Sequence, residues 1–187
     1  MEKKQSREFA KTSNPTVINL QQGKIPPQAL ELEEAVLGAM LIDKKGVDEV
    51  IDLIQPEAFY KAAHQTIFEA IFQLFQDSQP IDLLTVSSEL RKKGKLESVG
   101  GEFYLVQLSQ RVASSAHIEF HARIILQKFI QRSLIKISNE IIESAYKEST
   151  DVFDLLDEAE SKLYDVTQGN IKKSSESGSD CQCHIFD

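Results

Sequence analysis

Several features that define other protein classes are missing from this chain of 187 residues. It has no Trp, and its two Cys are too few for a disulfide framework, so we expect a cytoplasmic protein. No run of about 18 apolar residues exists, so we expect no membrane span. Only eight Gly and five Pro occur, and this scarcity of helix-breaking residues favours an α-helical protein.

The patterns of nucleotide-binding and hydrolytic enzymes are absent as well. No GxxxxGK[ST] phosphate loop occurs: the two Gly-Lys pairs are followed by Ile25 and Leu96, which lack the hydroxyl that such a loop offers to Mg²⁺. HExxH, GxSxG and GxGxxG are missing too. We therefore expect no catalytic residues, no cofactor and no ATP hydrolysis in this chain.

The charge balance is acidic, with 21 Lys and Arg against 29 Asp and Glu and a formal net charge of −8. Proteins that coat nucleic acid need a basic surface, so we expect single-stranded DNA to bind at most weakly. The sharpest basic cluster is Arg91, Lys92, Lys93 and Lys95. These cations could contact nucleic acid or an acidic partner, although cations at a helix C-terminus also have a local electrostatic reason to exist.

Helical periodicity covers most of the sequence from residue 28 onward. It predicts helices over 28–42, 46–54, 61–76, 83–93, 102–112, 115–147 and 151–168. Asp82 is the predicted N-cap of the fourth helix, and Gly94 and Gly169 are predicted to end the fourth and seventh. The expected fold is all-α: a small orthogonal helical bundle followed by a long antiparallel helical hairpin.

Composition divides the chain into four segments. Residues 1–24 are polar and should form a disordered arm, and 25–112 should form a globular helical domain. Residues 113–169 should form the helical hairpin. Residues 170–187 read as a linker with an irregular tail. A truncated gene, a frameshifted end and an expression remnant all remain open as explanations of this tail.

The long helix predicted over 115–147 has more apolar surface than one hairpin partner can cover. Its second half carries an apolar arc of roughly 200°, whereas one partner surface requires about 100°. We therefore expect another protomer or protein to cover the rest. The predicted oligomer interface is Ile118, Ile125, Phe129, Ile130, Leu134, Ile137 and Ile141. A further stripe comprises Phe120, Ile124, Ile135, Ile142 and Tyr146.

Four groups of polar residues could carry chemistry, but a structural interpretation is favoured for each. His117 and His121 are four residues apart yet lack further metal ligands, and the Cys181-x-Cys183-His184 spacing does not fit a zinc finger. We expect His64 to be a partly buried core residue rather than a base or ligand. The Glu33-Glu34 pair is interpreted as ordinary helix surface charge, because adjacent helical residues point in different directions.

The ordered set of motifs resembles the N-terminal domain of the bacterial replicative DNA helicase, the DnaB family, from about residue 25 to about 173. The residues that carry the resemblance are Pro26-Pro27-Gln28, Glu33-Glu34-Ala35-Val36-Leu37-Gly38, Phe59-Tyr60, His64, Ile67-Phe68, Ala70-Ile71, Pro80-Ile81-Asp82, Leu90, Gly94, Leu96, Gly100-Gly101, Tyr104-Leu105, Leu108, His121-Ala122-Arg123-Ile124-Ile125, Arg132, Leu134 and Ile135.

The resemblance implies a collar domain whose hairpins pair between subunits, giving a dimer or a trimer of dimers on a hexameric ring, and which docks primase. In the family, a separate RecA-like motor domain binds ATP and Mg²⁺; none of its residues can be placed on this chain. We therefore expect ring assembly and primase docking without catalysis. Two alternatives stay open: a free-standing regulator that mixes with full-length helicase or occupies primase, and part of an ATP-dependent helicase whose motor domain is missing here.

Overall fold

The computed structural model describes residues 24–111, 117–147 and 151–175, with side chains to Gln168. Within these ranges every regular element is helical, which confirms the predicted all-α fold. The α-helices are α1 Leu30–Ile42, α2 Lys44–Val50, α3 Ala62–Gln76, α4 Leu83–Lys92, α5 Gly101–Gln110, α6 Ile118–Ala145 and α7 Val152–Ser175. Short 3₁₀ turns lie at Pro56–Ala58 and Glu97–Val99.

Helix α3 contributes several fully buried side chains to the core of the globular bundle. Its side chains Ile67, Phe68 and Ile71 are fully buried, and the Phe59 and Phe68 rings lie 5.1 Å apart. The helix contacts α1 and α4 and both 3₁₀ turns. A helix that is apolar around most of its circumference needs neighbours on several sides, and α3 has them.

The predicted limits of α4 are confirmed by its terminal hydrogen bonds. Asp82 Oδ1 accepts from the backbone N–H groups of Leu84 and Thr85, both at 2.9 Å, and Thr85 Oγ1 accepts from the Asp82 N–H at 2.9 Å. This reciprocal pattern is a capping box. At the other end, Gly94 adopts a φ of 65°, the left-handed conformation that commonly terminates a helix.

The first turns of α6 pack on the globular bundle before the helix continues into the hairpin. Ile118 and Ile125 are 2% and 1% exposed, and α6 contacts α1, α2 and the first 3₁₀ turn. Gly46 of α2 permits this close approach, because a Cβ added there would lie 3.1 Å from Ile118 Cδ1. The globular core therefore extends past the division predicted at residue 113.

The second hairpin helix is longer than predicted. Gly169 is expected from the sequence to end it, but α7 continues to Ser175. A glycine inside a helix costs only about 1 kcal/mol relative to alanine, so it does not end the helix by itself. The first six residues of the segment predicted as a linker, 170–175, are thus helical.

Candidate interaction surface

The two helices of the hairpin expose large apolar side chains to solvent. Ile142 of α6 is 48% exposed, and Leu156 of α7 is 60% exposed. Beyond the first turn of α6, where Phe120 is also exposed, the set is termed here the outer hairpin surface and comprises Leu134, Ile135, Ile142, Tyr146, Val152, Phe153, Leu156, Leu163 and Tyr164. Large apolar patches are uncommon on monomeric proteins and mark sites of interaction. This surface is therefore the candidate functional site.

Two of the residues predicted to form an oligomer interface are unavailable to a partner. Ile118 and Ile125 are both buried in the chain's own core. The prediction is wrong for this pair because the helical period identifies apolar faces but does not say which face the same chain covers. Here the bundle formed by α1 and α2 uses the face that carries them.

The other five predicted interface residues lie farther along α6. Phe129 is half-buried and packs against the core, and Ile130 and Ile141 are also half-buried. Ile137 lines a hollow of about 370 Å³ between α6 and α7 that Phe129 also lines. Leu134 alone among the five is exposed. The role of these five residues in assembly stays a prediction. Because residues of α7 also line the hollow, the Ile137 side chain faces α7 across it.

The outer hairpin surface includes residues that the predicted interface omits. These are Ile135 and Ile142 of α6 and Tyr146 directly after it, which belong to the further stripe recognised from the sequence. On α7 the exposed ridge contains Leu156 and Leu163. The helical spacing of apolar residues predicted this stripe of α6. It did not predict that the stripe is exposed to solvent, because exposure depends on where α7 packs.

An ion network joins the two helices of the hairpin. Lys162 Nζ lies 2.9 Å from Glu140 Oε2 of α6 and 2.7 Å from Glu158 Oε1 of its own helix. The hydrogen bond from Lys162 lowers the pKa of Glu140, and the carboxylates of Glu158 and Glu140 raise the pKa of Lys162. The side chains of the network are partly exposed to solvent, so it contributes little to stability.

Arg132 fixes α6 to the rest of the chain at the base of the hairpin. Its guanidinium donates from Nη1 to the carbonyl oxygen of Pro27 at 2.9 Å and from Nη2 to that of Ala58 at 2.7 Å. The group also lies 5.5 Å from the centre of the Tyr60 ring. Burial lowers the pKa of Arg132, and the carboxylate of Glu33 partly offsets this effect. The planar guanidinium suits two diverging acceptors.

A buried polar network ties α1, α3 and α5 together. Glu33 is 1% exposed; its Oε1 accepts from the Tyr60 N–H at 2.7 Å, and its Oε2 lies 2.7 Å from Nδ1 of the fully buried His64. His64 Nε2 lies 2.7 Å from the Tyr104 hydroxyl. Lys61 Nζ donates to the same hydroxyl at 2.8 Å. Both imidazole nitrogens are thereby hydrogen-bonded, as a buried polar group requires.

The Glu33 interaction differs from the sequence interpretation. Glu33 is a buried acceptor rather than ordinary surface charge, whereas the neighbouring Glu34 forms an ion pair with Arg111 and lies 3.4 Å from the Tyr104 hydroxyl. His64 is a core histidine as expected, but it is wholly rather than partly buried. The cause is tertiary packing, since Glu33 and His64 are 31 residues apart.

Carboxylates accompany every residue of the basic cluster near the end of α4. Arg91 forms an ion pair with Glu102, and Lys95 Nζ lies 3.2 Å from Glu69 Oε2. Lys92 and Lys93 share Glu89, at 3.6 and 3.4 Å. All four cations are exposed, yet this pairing weakens the local positive field that nucleic acid would meet.

No group of three or more His, Cys, Asp or Glu in the described ranges is arranged to hold a metal ion. Glu119, between His117 and His121, accepts a hydrogen bond at Oε1 from Nη2 of Arg123 at 2.7 Å. Cys181, Cys183 and His184 lie outside the described residues. No helix in the described part of the chain is long and apolar enough to cross a membrane.

Comparison with known proteins assigns this arrangement of bundle and hairpin to a family. The model of the DnaB-like helicase N-terminal domain matches residues 25–127. The chain belongs to the DnaB-like helicase N-terminal domain family. The same fold occurs in the crystal structure of the N-terminal domain of DnaB helicase from Mycobacterium tuberculosis, at 34% identity and a TM-score of 0.71, over 75% of this chain and 99% of that one.

Longer DnaB proteins are also similar to this chain. The replicative DNA helicase DnaB of Rhodothermus marinus is 44% identical over 86% of this chain, and that of Geobacillus stearothermophilus 39% over 78%. The chain spans 17% and 32% of these two relatives. The structure of a DnaB-like replicative helicase and its interactions with primase matches at 26% identity and a TM-score of 0.61, over 81% of this chain and 36% of that one.

Four of the residues that carried the family resemblance make the polar contacts described above. Glu33, His64 and Tyr104 form the buried network, and Arg132 anchors α6. Of these four, Arg132 fixes the first hairpin helix, α6, to the bundle, whereas the other three join helices within the bundle.

Proposed function

We propose that this chain is a non-catalytic assembly module that associates with copies of itself through its hairpin and docks primase. The observation that carries the proposal is the outer hairpin surface, where large apolar side chains lie in solvent on both helices. Burial of such side chains in a partner is favourable by about 25 cal/mol per Å². The family resemblance implies the same hairpin pairing, as a dimer or a trimer of dimers in a ring.

Primase docking is the second part of the proposal. It is supported by the similarity to a DnaB-like replicative helicase whose structure was described with its interactions with primase. Titration of purified bacterial primase into the chain by calorimetry tests it. We expect a saturable heat of binding, and no heat with both proteins at tens of micromolar would contradict primase docking while leaving self-association intact.

Self-association is tested by a matched pair of isoleucine substitutions. Ile142→Asp places a charge on the outer hairpin surface, and Ile42→Asp places one on the exposed end of α1. A buried unpaired charge is costly, so Ile142→Asp should shift sedimentation velocity toward the monomer while Ile42→Asp leaves it unchanged. Equal behaviour of the two variants would contradict an interface on this part of α6.

We infer that DNA is not the principal partner of this chain. The net charge of −8 repels DNA, and each cation of the Arg91–Lys95 cluster has a carboxylate nearby. Binding to single-stranded DNA should therefore be no tighter than non-specific binding, with a Kd of about 10⁻⁴–10⁻⁶ M at physiological salt. Nanomolar binding in a fluorescence titration would contradict this inference.

A further inference from the structure

A groove of about 750 Å³ lies between the segment before α1 and one side of α6. Its apolar walls include Ile25 and Pro27 of that segment and Leu134 and Ile135 of the helix. Arg132 holds the segment in place, because its guanidinium donates to the carbonyl oxygen of Pro27 at 2.9 Å. Sites for drug-sized ligands have about 300–1,000 Å³, so a groove of this volume can admit two large side chains.

The charged side chains that line this groove are all cationic. They are Lys24, Arg132 and Lys136, and none of the described residues that line the groove carries a carboxylate. Lys136 is exposed, and its Nζ lies 4.0 Å from Oε1 of Glu140, a distance at which an exposed ion pair is weak. The groove therefore suits an apolar segment that carries negative charge.

Two terminal segments of the sequence lie outside the described residues, and their charges are opposite. Residues 1–23 contain four Lys and Arg against two Glu, so the cations of the groove repel them. Residues 176–187, termed here the tail, contain three carboxylates and no Lys or Arg. The tail also contains an adjacent apolar pair, Ile185 and Phe186. Charge and apolar content together favour the tail as the occupant.

The tail is long enough to reach the groove from the end of α7. Val166 of α7 borders the same hollow as Phe129 and Ser133 of α6, so Ser175, nine residues later, lies about 14 Å farther toward the start of α6. The groove extends over residues 132–139 of α6, and its middle is therefore about 20 Å back along the helix pair. Twelve extended residues span up to about 40 Å, which covers this distance and the width of α6, about 10–12 Å.

We propose that the tail binds the groove of its own chain, with Ile185 and Phe186 against the apolar walls and the carboxylates near the cations. Leu134 and Ile135 also belong to the outer hairpin surface. The bound tail therefore covers part of that surface and competes with a second copy of the chain. This competition rests on the proposed self-association, whereas the binding of the tail does not.

Disulfide formation between the tail and the groove tests the contact. In a chain with Cys181→Ser, Cys183 is the only native thiol, and Ser138→Cys adds a second thiol inside the groove. Ser161→Cys is the matched control. It is exposed on α7 about 21 Å before the helix end at Ser175, so the tail reaches it without entering the groove. A glutathione buffer then measures the effective concentration of each thiol pair.

We expect an effective concentration about tenfold higher for Ser138→Cys than for Ser161→Cys. Adding Ile185→Ser and Phe186→Ser should lower the Ser138→Cys value to that of the control, because the apolar contact is lost. Equal values for the two thiol positions, or a value that the added serines leave unchanged, overturn the proposal. Mass spectrometry of mixed ¹⁵N-labelled and unlabelled chains shows which chain supplies the tail. Disulfides that join labelled to unlabelled chains would overturn binding within one chain.

Removal of residues 177–187 tests the competition. Sedimentation equilibrium should give a dimer dissociation constant about fivefold lower for the shortened chain, because Leu134 and Ile135 become available to a second copy. Far-UV circular dichroism checks that each variant folds. An unchanged or higher constant overturns the competition. If the full and the shortened chain are both monomeric, the proposed self-association fails, while the disulfide measurement still decides whether the tail binds the groove.

Discussion

Replacing Glu33 with alanine removes the acceptor at the centre of the buried network. Three donors lose their partner: the N–H groups of Tyr60 and Lys61, at 2.7 and 3.4 Å, and Nδ1 of His64, at 2.7 Å. A buried donor without a partner costs about 1–3 kcal/mol. The Lys61 bond is long and the loop is close to solvent, so we expect a loss of about 3 kcal/mol.

Glu34 supplies a control of the same residue type at the next position. It is half-buried, and its partner Arg111 is largely exposed. Glu34→Ala should therefore cost no more than about 1 kcal/mol. The free energy of unfolding of both variants can be measured by urea denaturation with far-UV circular dichroism.

A domain of this kind is stable by only about 5–15 kcal/mol, so a difference of about 2 kcal/mol between the two variants is readily resolved. If Glu33→Ala fails to fold, Glu33→Gln retains one acceptor oxygen and should give an intermediate loss. Equal losses in Glu33→Ala and Glu34→Ala would refute the assignment of Glu33 as the buried acceptor.

Three further predictions concern caps, anchors and catalysis. Asp82→Ala should lower the free energy of unfolding by about 1 kcal/mol, and Asp82→Asn should keep most of that stabilisation, because its side-chain oxygen still accepts from the helix. The backbone hydrogen bond from Thr85 lowers the pKa of Asp82, so the smaller, charge-dependent part of the stabilisation should be present above pH 3.8 and be lost as the pH falls through the lower folded pKa. Arg132→Met leaves the carbonyl oxygens of Pro27 and Ala58 without this donor, so it should lower the free energy of unfolding, measured by urea denaturation, by about 1–3 kcal/mol. The loss should be larger than that of Arg132→Lys, which keeps a cationic donor. The purified chain should show no ATP hydrolysis above a mock preparation in a phosphate-release assay, since it has no phosphate loop, and turnover that co-purifies with the chain would contradict this.

Local signals in the sequence predicted the helices well. Asp82 and Gly94 set the limits of α4 through contacts within a few residues, so the sequence alone contains the information. Gly169 shows the limit of such signals, because the helix continues past it. The destabilisation by a single glycine is small beside the hydrogen bonds of the whole helix, so whether the helix ends there depends on the surrounding chain.

The interaction surface was predictable only in part, since it depends on contacts between distant segments. The helical period identified Ile118 and Ile142 as members of two apolar stripes of α6, but the bundle buries one and leaves the other in solvent. Likewise, the hydrogen bond between Glu33 and His64 is evident only in the folded chain, where α1 and α3 pack together. Periodicity gives the faces of a helix, and packing decides which of them remain available.

The central claim is that the outer hairpin surface drives self-association. Sedimentation equilibrium of the wild-type chain, measured from the low micromolar range to about 100 µM, tests it most directly. We predict a weight-average mass that rises with concentration above the 21.1 kDa of one chain toward that of a dimer or a larger even assembly. A mass that stays at one chain across this range would contradict the claim.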